Sequence, residues 1–110
     1  MATIVNCTPH AVVVLLPDGE KITFPPSGTL PRVGEVRTAA PPIAAGVPCC
    51  FTSLGEVQGL PPQEEGTYLI VSGMVRGASP RNDLVSPDTG GTAVRESGQI
   101  VAVRGFIRNP

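Results

Sequence analysis

A length of 110 residues and a mass of 11.3 kDa give room for one domain, residues 1–110, and exclude two. Hydrophobic residues make up 41% and charged ones 15%, which is not the composition of a disordered chain. A net charge of −1 argues against a generic binder of duplex nucleic acid or of membrane surfaces, because counterion release needs a basic face.

Thr3–Asn6 and Ala11–Leu16 read as strands, interrupted at Thr8-Pro9-His10, where proline removes a ladder donor. Pro17-Asp18-Gly19-Glu20 forms a hairpin turn into Lys21–Phe24, in which Ile22 and Phe24 alternate with polar neighbours. Pro25-Pro26-Ser27-Gly28 turns the chain, and Thr29–Thr38 is a half-exposed strand. Ala39–Ala45, with Pro41-Pro42, is expected to be a loop and Val47–Leu54 another strand. A short edge strand and loop then follow over Gly55–Pro62, where Gly55-Glu56-Val57 echoes Gly34-Glu35-Val36. Gln63–Gly66 is a charged turn, and Thr67–Ser72 is the clearest buried strand. Gly73–Ala78 has the length of a short helix, stopped by Pro80. Val94–Glu96 and Ile100–Ile107 make a terminal hairpin around Gly98. Thirteen Gly and thirteen Pro fit short strands and tight turns. The expected fold is mainly β, a small antiparallel sheet or barrel-like domain of six to eight strands with one short helix. Lacking Trp and holding one Tyr and three Phe, it has a thin aliphatic core, which predicts a homo-oligomer.

Cys7, Cys49 and Cys50 supply neither a disulfide framework nor metal-ligand spacing, and His10 is the only histidine. No metal or cofactor is therefore expected. The N-terminal sequence shows no signal peptide and no apolar run long enough to span a membrane, so a cytoplasmic location is expected. Asp88-Thr89-Gly90 spells the aspartic-protease triplet, but Ser86-Pro87 before it and Gly91 after it favour an Asx-type turn. A Cys7–His10 pair would need a third, orienting group to act as a nucleophile and base. The remaining polar groups lie at strand ends. Asn6, Thr8 and His10 share one bend; Ser72, Arg76 and Arg81 flank the short helix; Asp88 and Arg95 follow. Arg is a forked donor suited to phosphorylated ligands, and loops carrying such groups on a rigid β scaffold suit a nucleotide-like molecule.

The segments Asn6-Cys7-Thr8-Pro9-His10, Pro25-Pro26-Ser27-Gly28 and Ser86-Pro87-Asp88 resemble those of a group of small phage and prophage proteins, over nearly the whole length. In size and β content the chain also resembles, by class rather than by motif, the phage anti-defence sponges of the Thoeris anti-defence type. That resemblance implies a non-enzymatic protein of the host cytoplasm that sequesters a cyclic nucleotide-type immune signal, such as a cyclic ADP-ribose isomer or a cyclic oligonucleotide. On this reading Arg76, Arg81 and Arg95 meet phosphate, and Asn6, Thr8, His10, Ser72 and Asp88 meet ribose or base edges. The alternatives are a phage structural or assembly protein, or a small enzyme acting on a nucleotide through His10.

Overall fold

A computed structural model describes residues 2–110 and contains ten strands and one short helix. They are β1 (Thr3–Asn6), β2 (Val12–Leu15), β3 (Lys21–Phe24), β4 (Arg32–Ala40), β5 (Cys49–Gln58), β6 (Thr67–Ile70), α1 (Gly73–Gly77), β7 (Leu84–Pro87), β8 (Val94–Glu96), β9 (Gln99–Ala102) and β10 (Phe106–Arg108). The mainly-β class with one short helix agrees with the composition. Ten strands form rather than six to eight, and they make four small sheets, with no closed barrel among the described residues.

The central sheet has the order β1-β6-β7-β10. It is not purely antiparallel: β1 and β7 run parallel to β6, and only β10 opposes its neighbour β7. Parallel neighbours need a crossover. α1 is that crossover between β6 and β7, while β2 to β5 all lie in the connection from β1 to β6. Ser72 caps α1 by accepting a hydrogen bond from the Val75 amide on its hydroxyl, 3.2 Å away; this satisfies an amide that the first helical turn leaves open.

Parallel strands are covered on both faces and so read as continuous apolar runs. Leu69, Ile70 and Val71 fit that rule, and with Cys7, Val75, Leu84 and Val85 they are buried in the core. A second patch, Val14, Ala102 and Val103, is buried where β2 meets the segment after β9. Two amide–carbonyl bonds tie this seam: Leu15 donates to Val103 at 2.8 Å and Val103 to Val13 at 2.9 Å.

β4 and β5 form a long antiparallel hairpin whose base alone, at Val33 and Val57, packs against the core. Beyond a bulge that opposes Gly34 to Gly55, nearly every residue of the hairpin is exposed. A Cβ at Gly55 would lie 3.3 Å from the Gly34 carbonyl oxygen, so a side chain there would press the two strands apart by a few tenths of an ångström. The Gly-Glu-Val echo of the sequence is therefore two facing segments at the root of one hairpin. The expected loop at Ala39–Ala45 begins only after Ala40, and the separate strands expected over residues 47–62 are one continuous β5. This arm stretches the molecule to 56 × 38 × 26 Å with a radius of gyration of 17.1 Å; a compact chain of this length has about 13 Å.

Candidate functional site

Asn6 is buried, and every hydrogen-bonding position of its side chain is used. Its Nδ2 donates to the carbonyls of His10 and Phe24, both at 2.8 Å. Its Oδ1 accepts from the Thr8 amide at 2.9 Å and the Thr8 hydroxyl at 2.6 Å. The Asn6 carbonyl in turn accepts from the Ser27 amide and hydroxyl, at 2.9 and 2.7 Å. The Asn-x-Thr-Pro-His and Pro-Pro-Ser-Gly segments are thus two halves of one polar knot that locks the bend between β1 and β2 to the end of β3. Asn6, Thr8 and His10 do share one bend, as expected, but they are turned toward one another. His10 is exposed and contributes its carbonyl.

Arg76 and Arg81 are also engaged within the chain. Arg76 Nε donates to the buried Ser86 hydroxyl at 2.8 Å, and its Nη1 to Asn109 Oδ1 at 3.2 Å. Asn109 Nδ2 then donates to the carbonyls of Arg76, Ser79 and Arg81 at 3.1, 2.8 and 3.0 Å. Arg81 grips Asp83 through two parallel bonds, Nε to Oδ1 at 2.9 Å and Nη2 to Oδ2 at 2.6 Å. Its Nη1 reaches the Pro61 carbonyl at 2.9 Å. The Asp83 side chain is 6% exposed and that of Arg81 22%, and the carboxylate raises the pKa of the guanidinium above its ordinary value.

Asp88 makes the turn expected for Pro-Asp-Thr-Gly, its Oδ1 accepting from the Gly90 amide at 3.1 Å. Exposed Arg95 joins the same turn through the Thr89 carbonyl at 3.3 Å. Thr8 and Ser72 line a common cleft of about 250 Å³ with Cys7, Arg32 and Leu30. Burial pushes the Cys7 thiol up, which outweighs a hydrogen bond with Ser27 that lowers it; a thiol held protonated is a poor nucleophile. The eight residues thus fall into separate places: the knot at Asn6, the helix-side braces at Arg76 and Arg81, and the Asp88–Arg95 turn. Thr8 and Ser72 share a cleft. Among the described residues no cluster of His, Cys, Asp or Glu could hold a metal ion, and no helix is long and apolar enough to cross a membrane.

The arm is exposed beyond its root. Residues directly opposite across an antiparallel pair share a face. Val36/Ser53, Thr38/Phe51 and Ala40/Cys49 therefore make one uncharged face. Glu35/Leu54 and Arg37/Thr52 make the other, where Arg37 Nε donates to Glu35 Oε1 at 3.0 Å. Phe51 is 63% exposed, Val36 53% and Ile43, at the tip, 78%. No charged residue or histidine occurs from Thr38 to Gly55. These residues were not singled out from sequence; the uncharged stretch is the signal that marks them, and Pro41-Pro42 disguised it as a break between two elements. A second apolar surface is a groove of about 160 Å³ between β2 and β9, whose walls include Val13, Ile100 and Val101.

Comparison with known proteins finds no matching family model, no matching curated protein and no matching solved structure.

Proposed function

We propose that the chain is a structural assembly subunit, joined to neighbouring subunits through the β4–β5 arm, as a phage structural or assembly protein would be. The observation that carries this reading is an arm that packs against the body only at its root and exposes Val36, Ile43, Val47, Phe51 and Leu54. A two-stranded hairpin is marginally stable in water by itself, and exposed apolar patches rimmed by polar groups mark interaction surfaces. Burying a Val, Leu, Ile or Phe side chain contributes about 1.5–3 kcal/mol. Val36, Ile43, Val47, Phe51 and Leu54 are each roughly half exposed or more, so covering them all would release on the order of 5 kcal/mol. A partner surface of matching apolar area, buried at the same time, roughly doubles this gain; association costs about 4–15 kcal/mol in lost freedom, so an arm contact binds weakly.

Sequestration of a phosphorylated nucleotide is the rival. It needs forked Arg donors, and those of Arg76 and Arg81 serve the chain itself. Sedimentation velocity tests the proposal: the chain should sediment as a multiple of 11.3 kDa at about 100 µM, a range suited to contacts of this strength. A monomer there refutes it, and a nucleotide that raises the melting temperature would favour the rival.

A further inference from the structure

We infer that two copies of the chain join edge to edge along β4, antiparallel about a two-fold axis at Val36, so that Glu35 of each copy lies opposite Arg37 of the other. This rests on the assembly reading above and names the partner, a second copy of this chain, and the register.

β4 and β5 make a sheet of two strands, so each keeps one edge of amides and carbonyls without a ladder partner among the described residues. Edge strands are usually blunted by proline, by a bulge or by an element laid over them. On β4 the bulge lies at Gly34, and the stretch beyond it, Glu35 to Ala39, is exposed and holds no proline. An extended strand can add there through main-chain hydrogen bonds.

The order of charges selects the occupant. Glu35 and Arg37 stand two residues apart on one face of β4 and form an exposed ion pair at 3.0 Å. In an antiparallel pair with the two-fold axis at Val36, Glu35 faces Arg37, Arg37 faces Glu35 and Gly34 faces Thr38. The four charges then form a square in which every neighbour, along a strand or across, has the opposite sign. Opposite charges directly across a pair of strands stabilise it and like charges destabilise it. Parallel pairing in register would set Glu35 against Glu35, and an antiparallel axis at Glu35 or at Arg37 would set that residue against its own copy. The β5 edge has no charge from Cys49 to Gly55, so nothing there fixes a register. On the other face of β4 the same axis brings the two Val36 side chains together and joins the uncharged faces of both arms. A two-fold contact is self-complementary, so each of these interactions is made twice.

Charge exchange reads the register. Glu35→Arg and Arg37→Glu each place four like charges in the square. By sedimentation velocity at about 100 µM each alone should show a dissociation constant raised at least ~10-fold. Both positions are exposed, so each variant should keep a wild-type circular dichroism spectrum. An equal mixture of the two should associate as wild type does, because every neighbour across the strands is again of opposite sign although each chain carries like charges within itself. Cross-linking reads the geometry. With Cys49→Ser and Cys50→Ser in the background, Val36→Cys should form a disulfide-linked dimer in oxidised glutathione. Paired strands lie about 4.7–4.9 Å apart, within the roughly 4.4–6.8 Å between Cα atoms that a disulfide spans. Ser53→Cys, opposite Val36 on β5, would stand three strand spacings, about 14 Å, from its own copy and should not cross-link. An equal mixture of the charge variants that stays monomeric overturns the inference, as does cross-linking of Ser53→Cys equal to that of Val36→Cys. A wild-type assembly that neither charge variant disturbs overturns the inference and leaves the assembly reading standing; a monomeric wild type overturns both.

Discussion

Replacing Arg81 by Ala separates a brace from a ligand contact. The substitution removes two bonds to Asp83 and one to the Pro61 carbonyl, and it strands a carboxylate that is 6% exposed. Deleting one partner of a fully buried ion pair costs about 3–5 kcal/mol. Arg81 is 22% exposed, so water can reach part of the vacated space, and a loss of about 2–3 kcal/mol is expected. Asp83 also accepts the Leu69 amide on its carbonyl at 2.9 Å, which places the damage at the junction of β6 and β7. For a domain of this size each 1 kcal/mol shifts the melting temperature by about 4–8 °C, so Arg81→Ala should melt roughly 10–20 °C below wild type. Thermal and urea unfolding would measure it. In the Arg81→Ala/Asp83→Ala double variant no charge is left stranded, and the combined loss should fall short of the sum of the single losses by at least ~1 kcal/mol. Arg81→Ala within ~0.5 kcal/mol of wild type, with additive double-variant losses, would refute the brace and return Arg81 to the pool of ligand donors.

Asn6→Ala should lose about 2–4 kcal/mol in urea unfolding, because the carbonyls of His10 and Phe24 and the Thr8 amide and hydroxyl all lose their partner. Ser97, at φ +51° beside Gly98 at φ +80°, sits in a turn that favours Asn-Gly, so Ser97→Asn should raise stability by about 0.5–1 kcal/mol in the same assay. The Cys7 pKa is raised above its ordinary 9.0 on folding. The stability this contributes should be fully present below pH ~9 and fall as the pH rises through and beyond that value, a loss absent from Cys7→Ala in urea titrations at pH 7 and 10. With a thiol reagent at pH 8, exposed Cys50 should react first and buried Cys7 last.

Where local signals agreed with the tertiary fold, the elements were legible. β1 and β3 have the boundaries that alternation and turn residues suggest, and Ser72 caps α1 at the end of an apolar run. β7 escaped because Leu84-Val85-Ser86-Pro87 is short and ends in proline; it becomes a strand by pairing in parallel with β6, across a crossover that no local pattern announces. Ile100–Ile107 divides because Val103 turns aside to bridge Val14, leaving β10 to pair with β7. The polar residues were harder to assign, for a physical reason. A donor that faces a ligand and one that faces its own chain are the same residue type, and only distant partners tell them apart. Asn6 is bound by Ser27, and Arg76 by Ser86 and Asn109. The arm was hidden by its tip, since Pro41-Pro42 ends a strand whether the chain then leaves or returns.

Hydrogen–deuterium exchange of the arm as a function of protein concentration tests the central claim most directly. If the arm is the joint, amides between Glu35 and Leu54 should be protected at about 100 µM and exchange much faster once dilution to about 1 µM separates the subunits, a range suited to contacts of this strength. The buried β6 amides of Leu69 and Ile70, bonded within the sheet, should exchange at the same rate at both concentrations. Arm amides that exchange equally fast at both concentrations would contradict the account.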